Sequence, residues 1–377
     1  MCAETLTRHL AFALDAHRAL APVPTTGSCF SPFSVGCALG LLATGAGGST
    51  RAELLRLLTG DPDGDPAPQA ELLTRGGELE PGYDEDASPV LALVNALWVA
   101  DRVVVRDDWR AELARWPGGE VRPAPFRTDS AAARAMINDE VAATTRGLVP
   151  TLLGDGDVHQ DTTGALVTAL YLKTGWYHPF VEHATAPEPF HTPRGVVEVP
   201  TMRLAARLAH AAADGWQLVR LPAAGGVEAV VLLPDTDLAT AEAALTAEVL
   251  TRLLDTAGQR QVELYLPRLR VESRCSLGEP LRALGVHTVF TDGADLRGIS
   301  ADPPMRVDAA VHQAVLRVDE QGLEGAAATA MLMMPTSAVI EPEAPVVVRV
   351  DRPFLLLVRH RSSGAVYFLA RVTDPRG

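Results

Sequence analysis

Val318-Asp319-Glu320-Gln321-Gly322-Leu323-Glu324-Gly325-Ala326-Ala327-Ala328-Thr329-Ala330-Met331-Leu332-Met333-Met334-Pro335-Thr336-Ser337 is a stretch that a core element has little reason to carry. Small residues follow a strand-like segment, a soft apolar run comes next, and Pro-Thr-Ser opens an exposed loop. Read as an extended segment, period two sets Leu323, Gly325, Ala327 and Thr329 on one face and Glu324, Ala326 and Ala328 on the other. No proline and hardly any bulk lie between Leu323 and Thr329, so this backbone is free to pair with a neighbour. Taken alone, Gly325 to Met334 also fits a packed alanine- and methionine-rich helix, since both residues are good helix formers. Downstream lies Val348-Arg349-Val350-Asp351-Arg352-Pro353-Phe354-Leu355-Leu356-Leu357-Val358.

Around these segments the texture is strand-rich. Leu93–Val99 and Leu166–Leu172 are nearly continuous apolar runs, which suit strands buried on both faces. Val227–Leu233, Val262–Leu266, Ala310–Val318, Val346–Val350, Phe354–Arg359 and Ala365–Val372 are further strands, the last two joined by the turn residues Ser362-Ser363-Gly364. The front of the chain is helical. Leu6, Leu10 and Leu14 mark an amphipathic first helix. Ser31-Pro32 supplies an N-cap with proline at the first helical position, and that helix stops near Gly45. Its small residues, Ser34, Gly36, Ala38 and Gly40, imply close neighbours and a central place. Asp61 to Pro68 reads as a loop. Helices early, strands late and no βαβ rhythm predict an α+β fold. No repeat or linker divides the chain, so 1–377 is expected to be one unit.

The bulk numbers exclude several functions. With 377 residues, 47% hydrophobic and 21% charged, this is a globular composition with an ample core. The formal net charge of −14 argues against a nucleic-acid partner. Arg102, Arg106, Arg110 and Arg115 cluster, but acids are interleaved with them, as on a solvated face. Lys173 is the only lysine, and the abundance of Ala, Gly, Pro and Arg points to a GC-rich bacterial genome, of the actinobacterial kind. Cys2, Cys29, Cys37 and Cys275 have no metal spacing, and Cys29 and Cys37 read as buried thiols. Glu4, Arg8 and Asp15 spoil a signal-peptide core, and no run reaches the ~18 apolar residues of a membrane span. The chain therefore reads as cytoplasmic and without a membrane partner, or as secreted should a leader have been trimmed. Lys173 lacks the preceding glycine of a phosphate loop, Gly45-Ala46-Gly47-Gly48 follows a helix, and there is no zinc helix or nucleophile elbow. His178, His183, His191, His287, His312 and His360 are scattered, and nothing selects a catalytic triad among them. Neither an enzyme nor a metal or organic cofactor is expected.

In order along the chain, short segments resemble the serpins, a family built around a bait loop. Cys29-Phe30-Ser31-Pro32-Phe33-Ser34-Val35 with Thr44-Gly45-Ala46-Gly47-Gly48-Ser49-Thr50 looks like that family's second helix and its exit. Asn95-Ala96-Leu97-Trp98, Ile137-Asn138, Leu172-Lys173-Thr174-Gly175-Trp176, Pro179-Phe180 and Pro189-Phe190-His191 follow. Leu266-Pro267-Arg268-Leu269, Val289-Phe290-Thr291-Asp292-Gly293-Ala294-Asp295-Leu296 and Phe368-Leu369-Ala370-Arg371-Val372-Thr373-Asp374-Pro375 complete the series. The opening stretch resembles the family's hinge and reactive loop, and Pro353-Phe354 its C-terminal signature.

The resemblance implies three β-sheets with about eight or nine helices, a monomer, and a hinge and reactive loop at 319–345. It implies a suicide inhibitor: a serine protease attacks the loop, forms an acyl-enzyme, and is carried off as the loop inserts into the central sheet. The hinge would comprise Glu320, Gly322, Leu323, Glu324, Gly325, Ala326, Ala327, Ala328 and Thr329. Ser31, Ser34, Asn138, Thr168 and His312 would form the shutter beneath the sheet, with Trp176 meeting the loop at the top. Sixteen residues on from Glu320 the family's spacing puts the scissile bond at Thr336-Ser337, while counting back from Pro353 keeps Met334 and Ile340 open. A threonine there suits elastase- or subtilisin-like proteases, and the absence of Lys or Arg from Ala330 to Pro345 disfavours trypsin. The sequence departs from the family at Thr168, where an asparagine is usual, at Gly325, a usual alanine, and at Leu323, usually small or β-branched. A bulky Leu323 entering first could slow insertion, which keeps a non-inhibitory binding, chaperone or storage protein as the alternative.

Overall fold

The computed structural model describes residues 3–81, 88–323 and 344–377. The expectations for Glu324, Gly325, Ala326, Ala327, Ala328, Thr329, Met334, Thr336, Ser337 and Ile340 lie outside the described residues.

The first helix, Ala3–Leu20, buries Leu10 and Leu14 on one face and Phe12 towards the other. The second, Pro32–Gly45, starts where the sequence places it. Ser31 is extended at the cap and its hydroxyl accepts from the Ser34 N–H at 3.0 Å, with Pro32 at the first position. Nearly every residue of this helix is buried, and glycine stands where its neighbours come closest. A Cβ added at Gly40 would lie 2.1 Å from the Trp116 ring, which shows how closely the neighbours approach.

Two hydrogen-bonded networks of strands surround this helix. The first is six-stranded, in the order Leu269–Ser276, Ala309–Val318, Gly322–Leu323, Gly164–Gly175, Val90–Ala100, Gly119–Ala124. The second is nine-stranded and has two lobes. In one lobe Ser28–Phe30, Val366–Val372, Phe354–His360, Val227–Pro234 and Trp216–Pro222 follow one another. In the other, Ala186–Thr192, Gly258–Pro267 and Val346–Arg349 gather. The 19-residue strand Gly195–Ala213 joins them, pairing Ala186–Thr192 near its start and Trp216–Pro222 near its end. The three sheets expected thus stand as one free sheet and two fused through a shared strand. Nine α-helices occur among the described residues, so the α+β architecture is as the sequence implies.

All eight strands expected from the sequence are present, most extended by a few residues. Among elements the sequence did not mark are Gly195–Ala213, Leu269–Ser276 and the helix Ser130–Thr144. Leu269–Ser276 forms an edge of the free sheet, and Ser130–Thr144 carries Asn138.

Candidate functional site

The free sheet has a seam at its centre. Ala309–Val318 and Gly164–Gly175 run parallel and pair over only five residues, from Ala309 opposite Ala165 to Gln313 opposite Ala169. Above that point no pairing joins the two strands among the described residues. At the top, Gly322 and Leu323 are wedged between them, Leu323 opposite both Val318 and Thr174 and antiparallel to each. A partly open slot therefore lies between the closed ladder and this two-residue plug. Its walls are residues 314–317 and 170–173.

The turn above the plug is tightly held. The Asp319 carboxylate accepts from the N–H groups of Gln321 (2.9 Å) and Gly322 (3.1 Å), closing a short turn. The Trp176 indole N–H donates to the Asp319 carbonyl at 2.9 Å, and the Trp176 backbone N–H to the Gln321 carbonyl at 2.9 Å. Glu320 is 3% exposed. Arg268 Nε donates to its two oxygens at 2.8 and 2.7 Å, and the Thr185 hydroxyl donates as well. Burial alone would raise the Glu320 pKa, but the bonds from Arg268 and Thr185 outweigh it and the carboxyl sits below its ordinary range. Arg268 and Thr185 are partners of Glu320 that the sequence does not mark. The only sequence signal was the Leu266-Pro267-Arg268-Leu269 segment, which says nothing of its contact with Glu320.

Beneath the seam His312 makes a bridge across it. The Ser31 backbone N–H donates to His312 Nε2 at 3.0 Å, so that nitrogen must be unprotonated. The proton then resides on Nδ1, which donates to the Thr168 hydroxyl at 2.8 Å. Thr168 faces His312 directly across the parallel ladder. Complete burial lowers the His312 pKa to about 4, keeping the ring neutral as both bonds require. Thr168, with one hydroxyl, thus makes a single bond across the seam. Ser34 joins only through its backbone N–H on the Ser31 hydroxyl, and its own hydroxyl is buried without a hydrogen-bond partner. Asn138 lies elsewhere. Its side chain accepts from the N–H groups of Leu152 (3.0 Å) and Leu153 (2.7 Å) and donates to the Leu153 carbonyl (2.9 Å). It fastens a loop to its own helix and makes none of the bonds that link Ser31, Thr168 and His312.

A sequence profile of the family described as Serpin (serine protease inhibitor) matches residues 7–375. This chain belongs to the serpin family.

Serpins with similar sequences include Iripin-2 of Ixodes ricinus, 32% identical over 96% of this chain and 91% of that protein. Human alpha-1-antichymotrypsin is 32% identical, with 97% and 86% covered. The leukocyte elastase inhibitor of Sus scrofa is 32% identical, with 97% of both chains covered. Two of these names are those of inhibitors, and the family is one of protease inhibitors rather than enzymes. Among solved structures, uncleaved ovalbumin matches with a TM-score of 0.84 at 24% identity, covering 98% of this chain and 99% of that one. Human thyroxine-binding globulin matches with a TM-score of 0.83 at 23% identity, covering 99% of each chain. At these identities the two structures speak for the serpin fold alone.

The cysteine thiols near the serpin seam are poor nucleophiles. Cys29 and Cys37 are buried and their thiols pushed up by burial, and Cys275 is raised to about 11 for the same reason. Among the described residues no cluster of three or more His, Cys, Asp or Glu side chains is placed to hold a metal.

Proposed function

We propose that this serpin inhibits serine proteases by trapping them, with the slot and its two-residue plug as the observation that carries the reading. Leu323 is already seated, 1% exposed, so the bulk that the sequence made a concern is accommodated before any cleavage. Extending its register sets position 324 between Lys173 and Arg317 and position 327 between Leu170 and Ala314. Glu324 would then meet the chain's only lysine and an arginine on the outer face, and Ala327 an apolar inner face. Past 327 the incoming strand reaches the closed ladder, and Ala309 to Gln313 must part from Ala165 to Ala169. The five-residue ladder, the His312–Thr168 bond and the bonds of Thr163 and Gly164 to Asp308 below it are lost, while two longer ladders form. At on the order of 1 kcal/mol net per hydrogen bond, the balance favours insertion. The uninserted state persists only because the seam opens slowly, which makes its stability kinetic.

We place the scissile bond at Thr336-Ser337, with Met334 and Ile340 as alternatives, and an elastase- or subtilisin-like protease as partner, forming a covalent acyl complex. The protein is read as a monomer of bacterial, cytoplasmic origin, with the hinge and loop at 319–345 of a single domain. Incubation with pancreatic elastase and subtilisin should give a complex that survives denaturing electrophoresis, and a released peptide beginning at Ser337. Trypsin should give none. Cleavage without a complex, and without a rise in thermal stability, would overturn the trap and leave a non-inhibitory binding, chaperone or storage serpin.

A further inference from the structure

Inserting one strand moves the seam edges apart by roughly one strand spacing, ~4.8 Å. On the outer face a strap of bonded groups spans that seam. On one side, the helix Ser130–Thr144 is tied to the edge strand Gly119–Ala124 by an ion pair between Glu140 and Arg122. Just past the end of this helix, the Arg146 guanidinium lies 5.4 Å from the centre of the Tyr171 ring, and Tyr171 is on the seam strand Gly164–Gly175. Asn138 binds the loop at Leu152 and Leu153 to the same helix. Across the seam, Arg274 on the far edge strand Leu269–Ser276 reaches this loop from the other side. Its Nε donates to the Leu152 carbonyl at 2.5 Å, and its guanidinium pairs with Asp157. Asp157 in turn accepts from the Gly154 N–H at 2.6 Å, so the loop end that Arg274 grips is itself ordered.

Register fixes where this crossing falls. Arg274 is opposite Gln313, and Gln313 is opposite Ala169, the topmost pair of the closed ladder. The strap therefore crosses at the row that must part first once the open slot is filled. A direct hydrogen bond cannot stretch across an added strand, so either Arg274 lets go of the loop or the helix parts from Arg122 and Tyr171.

We infer that Arg274, through the Leu152 carbonyl and Asp157, is a latch on the outer face that sets how fast the seam opens and hence how cleavage divides between trapping and simple turnover. This rests on the insertion reading above. Arg274 is the weaker anchor, because it acts alone against two ties on the other side, and its side chain is 39% exposed. Arg274 is a positioning residue: it acts through the loop at Leu152 and Asp157.

The test is annealing of a synthetic peptide of the chain's own residues 324–335 to the intact protein, followed by native electrophoresis and heat resistance, without protease. Arg274→Ala should anneal faster by roughly three- to tenfold, the scale of one charge-assisted contact at a partly exposed site. Asp157→Asn, which keeps the Leu152 bond, should give a smaller acceleration, and the double variant no more than Arg274→Ala alone. Glu140→Gln should anneal at the wild-type rate. A role in folding alone would lower stability in both states, whereas the latch predicts unchanged heat resistance of the peptide-filled form. Annealing of Arg274→Ala at or below the wild-type rate overturns the latch, as does acceleration by Glu140→Gln in its place. No annealing in the wild type overturns the insertion reading itself, a result distinct from either.

Discussion

Acid should loosen the seam through His312, and the size of the effect follows from the burial of its ring. The ring is fully buried and its pKa is lowered from an ordinary 6.5 to about 4. Nε2 must accept from Ser31, so a second ring proton would face an N–H that can only donate. A group depressed in the folded state adds stability that is complete above its unfolded pKa and is lost as pH falls towards the folded one. The window is therefore about pH 6.5 down to about pH 4. Between about pH 7.5 and about pH 5 the unfolded form takes up the proton while the folded form does not, and the difference amounts to about 2 kcal/mol for this histidine. His9 is displaced to the same extent by burial and adds a similar loss. Glutamine at 312 can accept from Ser31 and donate to Thr168 without titrating. His312→Gln should thus recover about half of the shift that the two histidines produce, or about 2 kcal/mol. The midpoint of the first urea transition, at about pH 7.5 and about pH 5, measures this. Equal acid shifts in the wild type and the variant would refute the reasoning.

Three further outcomes are expected. A Cβ at Gly322 would lie 2.1 Å from the Thr174 carbonyl oxygen, so Gly322→Ala should expel the plug and slow complex formation by roughly tenfold or more, read by stopped-time gels. Glu320→Gln removes the charge held by Arg268 and should weaken the turn by about 1–3 kcal/mol. Faster hydrogen exchange at the Phe180 and Trp176 amides, which donate to the Glu320 and Gln321 carbonyls, reports it, and protection equal to wild type would count against it. In the core, Arg371 meets Glu242 through two bonds of 2.7 Å and also holds the Ala21 and Val23 carbonyls at 3.0 and 2.9 Å. Glu242→Gln should cost about 3–5 kcal/mol by stranding that cation, measured as a lower thermal midpoint; a midpoint within error of wild type would show the pair to be dispensable.

What the sequence disclosed was whatever depends on neighbours in the chain. Ser31-Pro32 announces a helix because the cap bonds reach only three residues. Valine- and leucine-rich runs announce the buried strands, since both faces are apolar. The strand Gly195–Ala213 stayed hidden because it is rich in alanine and arginine, good helix formers, and only its partners hold it extended. The site followed the same division. The family pattern singled out Ser31, Thr168, His312, Trp176 and Glu320. Arg268 binds Glu320 over 52 positions and Arg274 reaches Leu152 over 122, distances at which no local pattern survives. Asn138 shows the converse: the pattern marked it, and its bonds turn out to serve the loop that Arg274 grips.

The five paired residues at the seam run parallel, a slightly weaker arrangement per residue than an antiparallel one. On the proposed mechanism each molecule gives up that ladder once and gains an antiparallel neighbour on either side. Undoing the change would mean breaking roughly a dozen bonds together, at about 1 kcal/mol each. No thermal fluctuation resets such a device. Its capacity would follow from how many copies are synthesised and from the share of cleavages that end in a trap, since no copy acts twice.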